Sequence, residues 1–180
     1  MMKKVIIIVL LVGIIVLLAG IVPFYIRNNI AQGFKIPSDA MKPTIIIGDR
    51  VLVDKAIYKN SEPKRGDIVV FKYPGDPSKQ FIKRVAGLPN ETIEIKEGLI
   101  LINDNVIQEP AIFTSLRYFN RGEYGQKGKP IKIPNGSYFV LGDNSAASRD
   151  SRYWGFVPRE NIIGKASKIY YPSNRAGEIK

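Results

Sequence analysis

The feature that most constrains this chain is an almost unbroken apolar run from Val5 to Ile26, about 22 residues. Coiled as a helix at about 1.5 Å per residue, such a run reaches roughly 33 Å, the thickness of a bilayer's hydrocarbon core. The apolar core of a cleaved export signal is about 7–15 residues and is followed by a small-x-small site. This run is longer, and no clear site of that kind follows it. It is therefore expected to be a retained membrane anchor, with residues 1–27 forming the N-terminus and anchor and 28–35 a linker. Lys3 and Lys4 precede the run, whereas Arg27 and Lys35 follow it, so positive charge casts only a weak vote for a cytoplasmic N-terminus.

Beyond Asn28 the patterning changes. Stretches rich in Val, Ile, Tyr and Phe alternate with turn residues, which is the signature of strands. Strands are expected at Arg50–Val53, Asp67–Tyr73, Gln80–Val85, Thr92–Lys96, Leu99–Ile102, Ile131–Ile133, Ser137–Leu141 and Lys165–Tyr171. Glu97-Gly98 and Asn103-Asp104-Asn105 supply hairpin turns. No long amphipathic helix follows the anchor. The fold class is therefore mainly β, an antiparallel sheet or barrel-like domain over 36–180 behind one membrane helix. Residues 110–136, which hold Pro110, Gly122, Gly125, Gly128, Pro130 and Pro134, read as a loop or small insertion, and Ser173–Lys180 as a fraying tail.

Among its 180 residues the chain has no Cys and no His. That excludes thiolate nucleophiles, Ser-His-Asp triads and imidazole metal sites, and no metal or other cofactor is expected. Acid–base chemistry near neutral pH falls to Lys, Asp, Glu or Tyr. The net charge is +11, but basic residues such as Lys55, Lys64, Arg65, Lys79, Arg117 and Lys127 are scattered. A basic surface beside anionic membrane lipids fits this better than a nucleic-acid partner. Nothing in the sequence indicates an oligomeric state.

Three segments carry candidate chemistry. In Gln80-Phe81-Ile82-Lys83-Arg84-Val85, strand alternation puts Lys83 between Phe81 and Val85 on one face. A lysine sheltered there loses solvation, its pKa falls, and it can serve as a general base; alternatively its stem packs on the sheet while its head reaches water. Ile36-Pro37-Ser38-Asp39-Ala40-Met41-Lys42-Pro43-Thr44-Ile45 is a stiff extended strand or turn around small polar residues. Gly142–Pro158 packs small, charged and aromatic residues into one loop, where Asp150 and Arg152 are spaced to form an ion pair.

Taken in order behind the anchor, Pro37-Ser38-x-x-Met41-x-Pro43-Thr44, Gly48-Asp49-Arg50-Val51, Lys64-Arg65-Gly66-Asp67, Phe81-Ile82-Lys83-Arg84-Val85-Ala86-Gly87 and the Gly142–Pro158 loop resemble the type I signal peptidases. The resemblance covers nearly the whole chain. It implies a membrane-bound serine endopeptidase whose β domain lies on the outer membrane face, periplasmic or extracellular, with the N-terminus cytoplasmic. The implied substrates are exported preproteins, cut after small residues in an Ala-x-Ala pattern. Lys83 matches the family's general base, Ser148 the hydroxyl that orients it, and Ser38 the hydroxyl that helps bind the oxyanion. Ile36, Met41, Ile45, Phe81 and Ile82 fall where the family builds shallow apolar pockets.

The departure is Ala40, which occupies the family's nucleophilic serine position. Without a hydroxyl there, no acyl-enzyme can form at that residue, and the chain is expected to be inactive or strongly impaired. Three readings remain open: an inactivated peptidase, a non-catalytic relative that holds signal peptides or exported chains, or Ser38 as a substitute nucleophile. On an extended segment Ser38 would share a face with Ala40 but lie about 6.6 Å away, outside the roughly 3 Å reach of a base placed for position 40.

Overall fold

The structure, a computed structural model, describes residues 2–179. Helix α1 spans Met2–Asn29. Its Leu10–Asn29 stretch is long and apolar enough to cross a membrane, and none of it is buried against the rest of the protein. After it come strands β1 (Ala31–Lys35), β2 (Arg50–Asp54), β3 (Ile68–Tyr73), β4 (Asp76–Gly87), β5 (Thr92–Lys96), β6 (Leu99–Ile102) and β7 (Asn105–Val106). A short helix α2 (Ile112–Ser115), β8 (Ile131–Lys132) and β9 (Ser137–Leu141) follow. The chain ends with helix α3 (Ser151–Trp154), β10 (Val157–Pro158), β11 (Ile162–Tyr171) and β12 (Gly177–Glu178).

The strands form two antiparallel sheets. The larger runs β1-β2-β11-β3-β4-β9-β10, with β12 added to β11; the smaller runs β7-β6-β5-β8. The mainly antiparallel β domain expected from the sequence is thus present. β3 is buried on both faces. Ile68 and Val70 pack with Val51, Val53 and Ile169, while Val69 and Phe71 pack with Val85, Val140 and Val157. That double burial explains why β3 reads as a continuous apolar run. Each such side chain stabilises the fold by about 1.5–3 kcal/mol relative to exposure.

Three expectations are corrected. Residues 31–35 are not linker: they pair in register with β2, from Ala31↔Asp54 to Lys35↔Arg50. Phe34 is the one strong strand former in Ala-Gln-Gly-Phe-Lys, so propensity was weak, but β2 offers backbone partners that the segment needs. Residues 110–136 are more than a surface loop. Phe113, Tyr118 and Ile133 are buried in the core of the smaller sheet with Ile93, Ile95, Ile100 and Ile102. The tail is also held: Arg175 Nε donates to the buried Asp49 carboxylate at 2.9 Å, and β12 pairs with β11 through Lys168↔Glu178. Residue 180 lies outside the described residues.

Candidate active site

The site begins where the chain leaves β1. Ile36 stays tied to the neighbouring turn, donating its N–H to the Asp49 carbonyl at 2.9 Å. From Ser38 to Ile45 the backbone bends and turns instead of extending. Lys42 N–H closes onto the Asp39 carbonyl at 3.1 Å and Ile45 N–H onto the Met41 carbonyl at 3.0 Å. The extended geometry that would set Ser38 and Ala40 on one face is therefore absent. Ser38 is exposed while Ala40 is buried. The Ala40 N–H has no backbone hydrogen-bond partner among the described residues.

The loop after β9 is stapled to this turn. Asn144 N–H donates to the Ala40 carbonyl and Asn144 Nδ2 to the Asp39 carbonyl, both at 3.1 Å. Thr44 Oγ1 donates to Asp143 Oδ2 at 2.5 Å. Asp143 is itself gripped by Arg84, whose Nε and Nη2 donate to its two oxygens at 2.8 and 2.7 Å. Two parallel charge-assisted bonds fix direction as well as distance. Gly142 is the point of contact. A Cβ built there would overlap the Ser148 hydroxyl and come within 2.5 Å of the Ala40 carbonyl oxygen. Gly142→Ala is accordingly expected to lower stability by about 1–3 kcal/mol through overpacking, read as a lower urea midpoint with unchanged slope.

Lys83 reaches the same place from β4. Arg84 pairs with Leu141 and Val85 with Val140, so the next step in that register sets Lys83 beside Gly142. Lys83 is 5% exposed. The Phe81 ring, stacked on Tyr73 and packed on Trp154, lies 5.6 Å from its Nζ. Burial pushes its pKa down to about 8, although the Asp150 and then the Asp143 carboxylates pull upward. Its amine donates to the Ile82 carbonyl at 2.9 Å. The expected Ser148–Lys83 hydrogen bond is not formed: Ser148 Oγ is buried without a partner.

Asp150 and Arg152, both 0% exposed at their side chains, form a bidentate pair with 2.8 Å bonds. Arg152 also donates to the carbonyls of Phe119, Ser145 and Ser148 and to Ser145 Oγ. Asp150 Oδ2 accepts from Gly142 N–H at 3.0 Å. The pair thus ties Ser148 and Gly142 to a single rigid node. Residues 118–125 brace that node from outside. Gly122 and Gly125 lie so close to Arg152 that a Cβ on either would collide with it. Sequence reading missed this brace and the Arg84–Asp143 pair. For the pair a signal existed, since an arginine inside an apolar strand must find a carboxylate.

The expected pocket residues separate. Met41 and Ile45, 1% and 0% exposed, belong to the core, packed with Val51, Val53, Ile68 and Val70. The reason is the turn at 38–45, which swings both side chains under β2 and β3. Ile36, Phe81 and Ile82 do meet, with Phe34, Pro37 and Val70, around a small recess of about 50 Å³. No cluster of metal-binding side chains occurs among the described residues.

Against this geometry the similarity to known proteins takes on meaning. The family model described as signal peptidase, peptidase S26, matches residues 5–171. The chain is 43% identical over 162 residues to a signal peptidase I of Leptolyngbya laminosa, covering 86% of this chain and 75% of that one. It is 36% identical to the signal peptidase I of Aquifex aeolicus, covering 82% and 78%. A solved signal peptidase I from Enterococcus faecalis aligns with a TM-score of 0.49 at 32% identity, over 59% of this chain and 98% of that one. The chain belongs to the signal peptidase, peptidase S26, family.

Proposed function

We propose that this chain recognises the signal peptides of exported preproteins at Ala-x-Ala sites and, with alanine at position 40, holds them without cutting. The observation that carries this reading is a buried lysine of lowered pKa, Lys83, beside the junction of Ala40, Gly142 and Ser148. Desolvating a lysine is costly, and the fold retains one at this junction. The anchor holds the β domain at the outer face of the membrane, with the N-terminus cytoplasmic. Arg27 and Lys55, joined where Lys55 Nζ donates to the Arg27 carbonyl, sit at the junction of anchor and domain, suited to anionic headgroups.

The substrate enters as an extended strand between Phe34–Pro37 and Gln80–Ile82, and the narrow recess there rejects large side chains by overpacking. In the Ala40→Ser protein, the new hydroxyl attacks the scissile carbonyl carbon as Lys83 Nζ takes its proton. The position-40 N–H and the Ser38 hydroxyl stabilise the oxyanion. The C–N bond then breaks, the protonated Lys83 returns its proton to the leaving amine, and an acyl-enzyme remains for water to hydrolyse. Ser148 orients Lys83 once a serine at 40 draws the amine off the Ile82 carbonyl.

Ser38 as substitute nucleophile is disfavoured: it is exposed, whereas the lysine that would activate it is buried. The test is product identity. Incubated in detergent with a preprotein, the Ala40→Ser protein should yield a mature chain beginning immediately after Ala-x-Ala. An uncut preprotein would remove the assignment.

A further inference from the structure

A second recess opens beside Ser148. Arg121, Ala146, Ala147, Ser148, Arg149 and Tyr153 line a volume of about 500 Å³. It shares no lining residue with the recess of Ile36, Phe81 and Ile82. The two are linked through position 40. Pro37 leads from the apolar recess towards Ala40 along the chain, and the Ala40 carbonyl meets the Ser148 side chain over Gly142. A peptide that places the residues before its scissile bond in the apolar recess therefore carries the residues after that bond past Ser148.

The chemistry of the second recess is of the opposite kind. Two of its six lining residues are arginines and none is acidic. Arg121 is oriented, its Nη1 donating to the Ala146 carbonyl at 2.9 Å while its guanidinium lies 5.7 Å from the Phe119 ring. Arg149 is exposed and forms no ion pair among the described residues; the neighbouring Asp150 is committed to Arg152. Ser148 closes the recess on the side of position 40, with its hydroxyl buried away from the opening. Fixed cations favour carboxylates and repel ammonium groups.

Resting on the signal-peptide reading above, we propose that this recess receives the first residues of the exported chain after the cleaved bond, and that Arg121 and Arg149 select acidic side chains there over basic ones.

Binding to the present chain tests this without catalysis. Fluorescent peptides carrying Ala-x-Ala, followed by either two glutamates or two lysines, are titrated against the full-length protein in detergent. The glutamate peptide should bind roughly five- to tenfold tighter at low salt, with the gap closing at high salt. Arg149→Glu should erase or invert the ratio. Lys96→Glu, the same charge change on the exposed end of β5, should leave it unchanged. A ratio near one, or an equal response to both variants, overturns the proposal. A third peptide with tryptophans in place of both alanines separates the two readings. If it binds as well as its parent, the signal-peptide reading fails, and the recess assignment with it. If it binds worse while the glutamate–lysine ratio stays near one, only the recess assignment fails.

Discussion

Ala40→Ser is expected to raise cleavage of an Ala-x-Ala preprotein by at least about a thousandfold over the parent chain. The size follows from what is missing. Ala40 lies against Gly142 and Ser148, the β4–β9 register sets Lys83 beside Gly142, and the Ala40 carbonyl is already held by Asn144. On the proposed reading, one oxygen atom completes an acyl-enzyme route, whereas oxyanion binding and positioning alone give only weak catalysis. The alanine is 7% exposed, so a hydroxyl there enters a sheltered space. Adding Lys83→Ala to Ala40→Ser should return the rate to near the parental level. Full activity in that double variant would show that another group takes the proton.

The largest loss of stability is expected from Arg152→Ala, about 3–5 kcal/mol. The substitution leaves the Asp150 carboxylate buried and without its cation, and strips donors from the carbonyls of Phe119, Ser145 and Ser148. Asp150, Ser145 and Ser148 are buried, so water cannot easily replace the guanidinium at those groups. The comparison is Arg175→Ala. Arg175 also pairs with a buried carboxylate, that of Asp49, but from a position 30% exposed where water can partly take its place, so its loss should cost less. Urea unfolding followed through Trp154, the only tryptophan, measures both. A change below about 1 kcal/mol for Arg152→Ala would mean that the node is not structural.

The sequence carried the two sheets because their signals are local. Thr92–Lys96 alternates polar and apolar residues, Leu99–Ile102 is a short β-favouring apolar run, and Glu97 and Gly98 adopt the positive φ values, 54° and 81°, of a tight hairpin. The site was legible only in outline. Lys83 stood out as a lysine inside an apolar strand, and the Gly142–Pro158 loop as an unusual packing of residue types. What the sequence could not reveal depends on distant partners. β1 exists because β2 lies beside it. Met41 and Ile45 face the core because Pro37–Ile45 turns. The brace at 118–125 shows itself only when Gly122 and Gly125 are seen against Arg152. Ser148 was expected to bond Lys83, but that amine donates to the Ile82 carbonyl and Ser148 Oγ is buried without a partner.

By removing Lys83 from water the fold brings its pKa down to about 8, so that an appreciable fraction of it is free amine near neutral pH. Only the deprotonated form can accept a proton, so activity should be lost as pH falls through its pKa. The direct measurement is kcat/KM of the Ala40→Ser protein from about pH 6 to pH 10. It should fall about tenfold per unit on the acid side of a midpoint near 8 and level off above it. A profile still climbing at about pH 10, where an ordinary solvated lysine titrates, would contradict the account.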